Sequence, residues 1–323
     1  MRKLAITFAI VVASIAQVSA QGGYPNRPIT VVVPFPAGGP TDAIMRNLGE
    51  RMRQTLGQPL VVEYVTGAAG TVGTGRVARA NPDGYTIVCG HFGTHATNAA
   101  VYQLNYDVVK DFAPIALLPS NPYLFVVNKA LPVNNLREFM AYMKANPDKL
   151  NMGHPGVGTG PHLAAILLQQ AAGGTMNYIP YRGAAPAMVD LLAGQINLMV
   201  DQVQNSMAHV RAGSTKALAI ASPQRNAQVP DVPTVDEAGA TGLHMSLWYG
   251  FWAPAGTPKE IVVKLTAAVQ DALGDPAVRE RLTGLGMEIP TREQQTPEGL
   301  AARQKADIDK WTPVIRAAGI RQQ

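Results

Sequence analysis

The chain has 323 residues, of which 47% are hydrophobic and 15% charged, enough for two domains or one large one with a full core. That composition excludes intrinsic disorder. A formal charge of +5, from 27 basic and 22 acidic residues spread without a Lys/Arg run, argues against nucleic acid as a partner, and the single cysteine, Cys89, excludes an internal disulfide, a thiolate zinc cage and a Cys-x-x-Cys redox pair.

The first segment reads as a secretory signal peptide. Arg2 and Lys3 precede an apolar stretch over 4–15, and Val18-Ser19-Ala20 places small residues where a signal peptidase reads. About 12 apolar residues are too few for a bilayer span of about 20. Residues 1–20 are therefore expected to be removed after Ala20, and Gln21, not cysteine, heads the mature chain, so no lipid anchor is expected. Losing Arg2 and Lys3 leaves 25 basic against 22 acidic residues. The mature chain is expected to be soluble and periplasmic, where ATP and nicotinamide cofactors are not generally available. No cofactor is expected, and glycine-rich loops call for another ligand.

Strand-like runs, glycine turns and helix-like segments then alternate, the pattern of an α/β fold around largely parallel sheets. Residues 29–33 are a β-branched run, read as a buried strand. It ends in Pro34-Phe35-Pro36-Ala37-Gly38-Gly39-Pro40-Thr41-Asp42, and a helix follows with Ile44, Leu48 and Met52 on one face and Gly57 as its stop. The unit recurs as a strand over 60–65, the turn Thr66-Gly67-Ala68-Ala69-Gly70 and a short helix over 71–80. After the turn Asn81-Pro82-Asp83-Gly84, residues 85–89 read as a third strand that leads into a polar loop over 90–98. Residues 123–127 read as a strand, and Asn135 with Glu138 marks a capping-box helix start. A further glycine loop, Gly153-His154-Pro155-Gly156-Val157-Gly158-Thr159-Gly160, precedes a helix. Pro180-Tyr181-Arg182-Gly183 leads into a helix over 185–193, and a strand over 196–200 ends on Asp201. Beyond 257 the chain reads as helical, with cap-and-proline starts at Thr257-Pro258, Asp275-Pro276 and Thr296-Pro297.

A strand that runs through glycines into a helix leaves backbone N–H groups unpaired at the positive end of the helix dipole. Such a place binds anions. Three loops have this form: Ala37-Gly38-Gly39, Gly67-Ala68-Ala69-Gly70 and Gly156-Val157-Gly158-Thr159-Gly160. None matches a dinucleotide or P-loop fingerprint, so a carboxylate or inorganic anion fits better than a nucleotide phosphate. Hydrogen bonds to a charged group contribute about 1.5 to 3 kcal/mol each, so four supply roughly 6 to 12 kcal/mol against the ~8 needed for micromolar binding. Apolar burial must therefore contribute as well, with Phe35, Phe92, Trp248 and Tyr249 as candidate lining; each is equally a candidate core aromatic.

Signatures of an enzyme are missing. There is no Gly-x-Ser-x-Gly elbow, no cysteine in a protease-like context and no His-Glu-x-x-His. His91 and His95 are four apart but in a loop, a weak basis for a metal site. Asp42 is placed to cap the helix it begins, His162 to orient an anion or to cap, and Asp201 to accept from a ligand or to serve the fold. No metal ligand set or catalytic group is assigned.

Taken in order, Tyr24-Pro25, Arg27-Pro28-Ile29, the run from Val33 through Pro34-Phe35-Pro36-Ala37-Gly38-Gly39-Pro40-Thr41-Asp42, Asn81-Pro82-Asp83-Gly84-Tyr85, Pro180-Tyr181-Arg182-Gly183, Leu218-Ala219, Val232-Pro233-Thr234 with Glu237-Ala238-Gly239, and Ala253-Pro254-Ala255-Gly256-Thr257-Pro258 resemble the Bug receptors, extracytoplasmic solute-binding proteins of tripartite tricarboxylate transporters. The resemblance covers nearly the whole mature chain. It implies a periplasmic-binding-protein (Venus flytrap) fold of two α/β domains, one formed by 24–123 plus 245–323 and closed by the C-terminal helices, the other by 124–244. It also implies a carboxylate held by a loop from each domain: Phe35, Ala37, Gly38, Gly39 and Asp42 on one side, Gly156, Gly158, Thr159, Gly160 and His162 on the other, with Thr94, Tyr181 and Asp201 as further cleft positions. One stretch departs from the pattern: where the family commonly reads Glu-Asn-Arg-Pro-Gly-Ala-Gly-Gly, this chain has Glu63-Tyr64-Val65-Thr66-Gly67-Ala68-Ala69-Gly70. The expectation is a receptor that captures a small organic carboxylate, such as a di- or tricarboxylate, an acidic amino acid or an aromatic acid, and delivers it to inner-membrane transporter subunits. A ligand sensor that docks a signalling protein, and an exported hydrolase, are the alternatives.

Overall fold

The computed structural model describes residues 23–321; the expected signal peptide and its cleavage point lie outside the described residues. Strand β1 (Ile29–Val33) is almost wholly buried because it pairs on both edges, in parallel with β2 (Leu60–Tyr64) and β3 (Thr86–His91). Parallel neighbours require crossovers, and α1 (Pro40–Leu56) and α2 (Thr71–Ala78) supply them. Ile44, Leu48 and Met52 bury the inner face of α1, and Gly57 ends it with φ 72°, a left-handed conformation that a side chain disfavours.

Of the expected loop over 90–98, Gly90 and His91 end β3 and the rest is ordered helix: a π-helical turn at Gly93–Thr97 runs into α3 (Asn98–Val101). Its glycine and polar composition hides this, because the turn is held by tertiary contacts. Thr94, fully buried, accepts from the His91 N–H at 2.9 Å, and the His95 ring stacks on Trp252 at 3.6 Å.

Strand β4 (Phe112–Asn128) is far longer than the expected 123–127. Three prolines, Pro114, Pro119 and Pro122, make its first half a poor strand by pattern, since each lacks a donor. The chain accommodates two of them at register shifts in the pairing with β9 (Ser246–Pro254), between Pro114 and Ala116 and between Leu118 and Ser120. Then follow α4 (Leu136–Ala145), β5 (Asn151–His154), α5 (Gly160–Ala172), β6 (Asn177–Pro180), α6 (Ala184–Leu192), β7 (Leu198–Gln202), α7 (Val203–Arg211) and β8 (Thr215–Ile220). Asn135 accepts from the Glu138 N–H as a capping box requires, while Glu138 bonds back to the Asn134 N–H.

The strand order is β2-β1-β3-β9-β4-β7-β5-β6, with β8 also on β4. The outer strands are parallel, as expected, but the centre is antiparallel: β9 to β3 and β4, and β4 to β7 and β8. One strand thus serves two sheets. The first half of β4 pairs with β9, and from Tyr123 onward it pairs with β7 and β8. One apolar cluster, with Val88 and Trp252 on one side and Phe125 and Met152 on the other, is continuous between the sheets, and two further clusters cover their other faces.

The C-terminal helices α8 (Lys259–Gly274), α9 (Pro276–Gly284) and α10 (Pro297–Ala317) return to the first sheet. Asp275 and Thr296 cap α9 and α10, accepting from the N–H groups of Ala277 and Val278 and of Gly299. Thr257 does not cap α8; its hydroxyl donates to the Pro254 carbonyl, and Pro258 precedes the helix.

Candidate functional site

The two glycine loops are built alike. Gly38 and Gly158 have φ of 84° and 76°, values that favour glycine. Each N–H is held by a side chain in the first turn of the helix that follows: Gly38 donates to Asp42 Oδ2 at 2.8 Å, and Gly158 to His162 Nδ1 at 3.1 Å. Asp42 therefore does not cap in the usual sense; the N-cap of α1 is Gly39. The Asp42 carboxylate also accepts from Tyr64 Oη at 2.6 Å and Arg46 Nε at 2.9 Å. Burial alone would raise its pKa, but these bonds outweigh that and hold it below the ordinary carboxylate value. Tyr64 belongs to the stretch that departs from the family pattern, so the departure is structurally employed.

His162 is packed face to face on His154, with ring centroids 4.4 Å apart, and burial pushes its pKa down to about 4. Its Nδ1 accepts, so in the neutral ring the proton sits on Nε2. With Gly38 and Gly158 engaged internally, the donors left open are the next amides along. The N–H groups of Gly39, Thr41 and Asp42 at α1, and of Gly160 and His162 at α5, have no acceptor among the described residues.

A cleft of about 600 Å³ lies between the sheets, a size suited to a small ligand. Of the residues expected at a ligand site, Phe35, Gly156, Gly158, Thr159, Gly160 and Asp201 line it. Ala37, Gly38, Gly39, Asp42, Thr94, His162 and Tyr181 do not. Asp42 and His162 hold the Gly38 and Gly158 amides, Thr94 holds the π-helical turn through His91, and the Tyr181 hydroxyl donates to Asp190 at 2.7 Å. Trp248 and Tyr249, expected as possible apolar lining, are core instead. They are 1% and 0% exposed, and the Trp248 indole donates to Asp307.

Ala69, from the glycine loop at 67–70 singled out in the sequence, also lines the cleft, and residues not anticipated there complete the wall: His91, Asn98, Tyr102, Tyr123 and Asn205 among them. Asn205 has a sequence signal, since it stands one helical turn after Asp201 and donates to it at 3.1 Å. The others have none, because they enter from the end of β3, from α3 and its C-terminal end and from β4; Ala69 stands in a strained turn, where Ala68 and Ala69 have φ values of 43° and 54°. Asn98 Nδ2 holds that turn through the Ala69 carbonyl at 3.0 Å. His91 stacks on Phe35 at 4.4 Å, and its Nδ1 accepts from the Gly93 N–H. His91 and His95 thus stack on different aromatic partners and do not converge.

Electrostatically the cleft is unusual for an anion site, because among the described residues no Lys or Arg lines it. Positive potential comes from helix starts and neutral donors. Asp201, 3% exposed, is the one carboxylate on its wall; burial raises its pKa, while bonds from Ser206 Oγ at 2.7 Å and from Asn205 oppose the rise.

Two sheets that share a central strand, with a cleft between them walled in part by a glycine-loop helix start, give the fold of the periplasmic binding proteins. Over residues 44–320 the chain matches the tripartite tricarboxylate transporter family receptor, and it belongs to that family. It is similar to the periplasmic binding protein BugD, with 42% identity, a TM-score of 0.79, and 93% of this chain and 100% of that one covered. MatC from Rhodopseudomonas palustris, solved with bound malate, gives 42% identity and a TM-score of 0.78 over 90% of this chain and 100% of that one. A further Rhodopseudomonas palustris protein, solved with adipate, gives 33% and 0.82 over 93% and 100%. The resemblance read from the ordered motifs is borne out, and the family is one of solute-binding receptors.

Proposed function

We propose that this chain is a periplasmic receptor that closes around a small dicarboxylate and passes it to transporter subunits in the inner membrane. The observation that carries the reading is a cleft without cationic side chains that has the open Gly160 amide, at the start of α5, on its wall. One ligand carboxylate sits on the Gly160 amide at the start of α5, where the dipole favours it. The start of α1 approaches from the first sheet, where Phe35 and Pro40 already stand at the cleft wall. Asp201 stands on the wall as an acceptor, which suits an acid that also carries a hydroxyl or amino group. The relatives solved with malate and adipate support the dicarboxylate class.

On this reading the lobes are residues 24–123 with 245–323, and 124–244. Asp42 and His162 position the loops through the Gly38 and Gly158 amides, and with Ala37, Gly38, Gly39, Thr94 and Tyr181 they stand off the wall of the open cleft. Export follows removal of residues 1–20, and no enzymatic step is assigned. Family membership favours delivery to a transporter over docking to a signalling protein.

The test is a thermal-shift screen of malate, adipate, succinate, citrate and benzoate, followed by calorimetry on Gly160→Ala. A saturating dicarboxylate at about 100 times Kd should stabilise the fold by about 2.7 kcal/mol. A Cβ on Gly160 would lie 2.4 Å from the Tyr123 hydroxyl, so this cleft-wall ring must shift; with the fold checked by the ligand-free melt, the variant should lose at least about tenfold in affinity, or about 1.4 kcal/mol. An unchanged Kd in Gly160→Ala would remove the assigned loop, and stabilisation by benzoate alone would remove the dicarboxylate.

A further inference from the structure

A second cavity, of about 410 Å³, lies behind the crossing between the sheets. Successive residues of a strand face opposite sides: on β9, Leu247 faces the cleft, whereas Ser246 and Trp248 face this cavity. Its walls come from both sheets. Ser222 and Gln224 follow β8, while Glu288 and Arg303 belong to the segments packed on the first sheet.

Two opposite charges meet here without pairing. Glu288 is fixed by a backbone bridge to Ser120, with both N–H···O bonds made, and by the Ser222 hydroxyl, which donates to Oε1 at 2.6 Å. Its other oxygen has no partner among the described residues. Arg303 is fixed by Nε to Asp307 at 2.8 Å and lies 5.8 Å over the Trp248 ring; its two terminal nitrogens have no partner among the described residues. Arg303 and Glu288 form no ion pair; burial raises the Glu288 carboxyl above its ordinary value, and the Ser222 bond and the Arg303 charge only oppose that rise. The hydroxyls of Ser120 and Ser246 and the side-chain amide of Gln224 are likewise without partners among the described residues. An anchored carboxylate and an anchored guanidinium held apart across one polar cavity present the complement of a molecule carrying both charges.

We propose that this cavity binds a small zwitterion, a free α-amino acid, with its ammonium on Glu288 and its carboxylate on Arg303. The site is separate from the dicarboxylate cleft. Because its walls belong to both sheets, an occupant bears on their relative position.

The experiment is a thermal shift of the mature chain with L-alanine, L-glutamine and L-lysine at up to about 10 mM, against propionate and ethylamine, which carry one charge each. At least one amino acid should raise the melting temperature saturably and the single-charge probes should not. Glu288→Gln keeps the Ser222 bond, and Arg303 is 39% exposed, so both Glu288→Gln and Arg303→Gln should fold, as the ligand-free melt reports. Each should weaken the amino-acid response at least about tenfold, whereas Gly160→Ala should leave it unchanged. The proposal is overturned if none of the three amino acids acts, if propionate or ethylamine acts as well, or if both charge variants respond as the parent does. A response lost in Gly160→Ala but kept in Glu288→Gln would assign the amino acid to the cleft and also overturn it.

Discussion

His91 shows how a residue's chemistry is set by its surroundings. Burial pushes its pKa down to about 4, against about 6.5 in an unfolded chain. Between those values the unfolded state binds more protons, so stability is full above about pH 6.5 and falls as the pH is lowered toward about 4. From this ring alone the loss is at most about 3 kcal/mol. His95 and His162 are shifted in the same direction by burial. Urea unfolding at pH 7 and pH 5 should therefore show a less stable protein at pH 5. His91→Gln, which keeps an acceptor for the Gly93 N–H, should reduce that difference; an identical difference in the variant would remove His91 as a contributor. At this scale the sequence was least informative. Glycine, aspartate and histidine at the loops were legible as a pattern, but not that Asp42 and His162 hold the amides of Gly38 and Gly158, which leaves the neighbouring amides open.

Among the elements, α10 departs most from simple patterning. Its buried positions, Leu300, Gln304, Asp307, Trp311 and Ile315, keep helical spacing, yet two of the five are polar. Gln304 is matched by partners distant in sequence, and Asp307 by one distant partner and two on its own helix. Asp307 accepts from the indole N–H groups of Trp248 at 2.5 Å and Trp311 at 3.2 Å as well as from Arg303. Gln304 accepts from Trp252 and donates to the carbonyls of His95 and Val108. The helix is therefore bolted to β9 and to the π-helical turn by polar contacts inside an aromatic shell. Asp307→Ala would leave two buried indole donors and a guanidinium unmatched, and should destabilise the protein by about 3 to 5 kcal/mol in urea unfolding. A loss below about 1 kcal/mol would mean the contacts are solvated and weak. The cap-and-proline starts of α9 and α10 were legible because a cap is a local device; the length of β4 was not, because its prolines are tolerated only through register shifts against β9.

Across the whole molecule, the chain crosses between the sheets at the middle of β4 and again on the way into β9. The strands cross at Tyr123, whose N–H donates to the Met245 carbonyl and whose carbonyl accepts from Ala221. On the proposed two-lobe reading, the lobes move about this crossing while each sheet stays whole. If ligand binding selects a closed form, small-angle scattering should show a smaller radius of gyration with saturating malate than without. An unchanged radius alongside measured binding would mean that the cleft fills without closure. The sequence by itself determined the α/β class, the glycine loops at helix starts, most helix limits and, through the order of its motifs, the receptor family, because caps, turns and hydrophobic periodicity are short-range. Only the tertiary structure decided that one strand serves two sheets, that Trp248 and Tyr249 belong to the core, and which donors face the cleft. Those outcomes depend on pairings between residues far apart in the chain, and a one-residue change of strand face exchanges core for cleft.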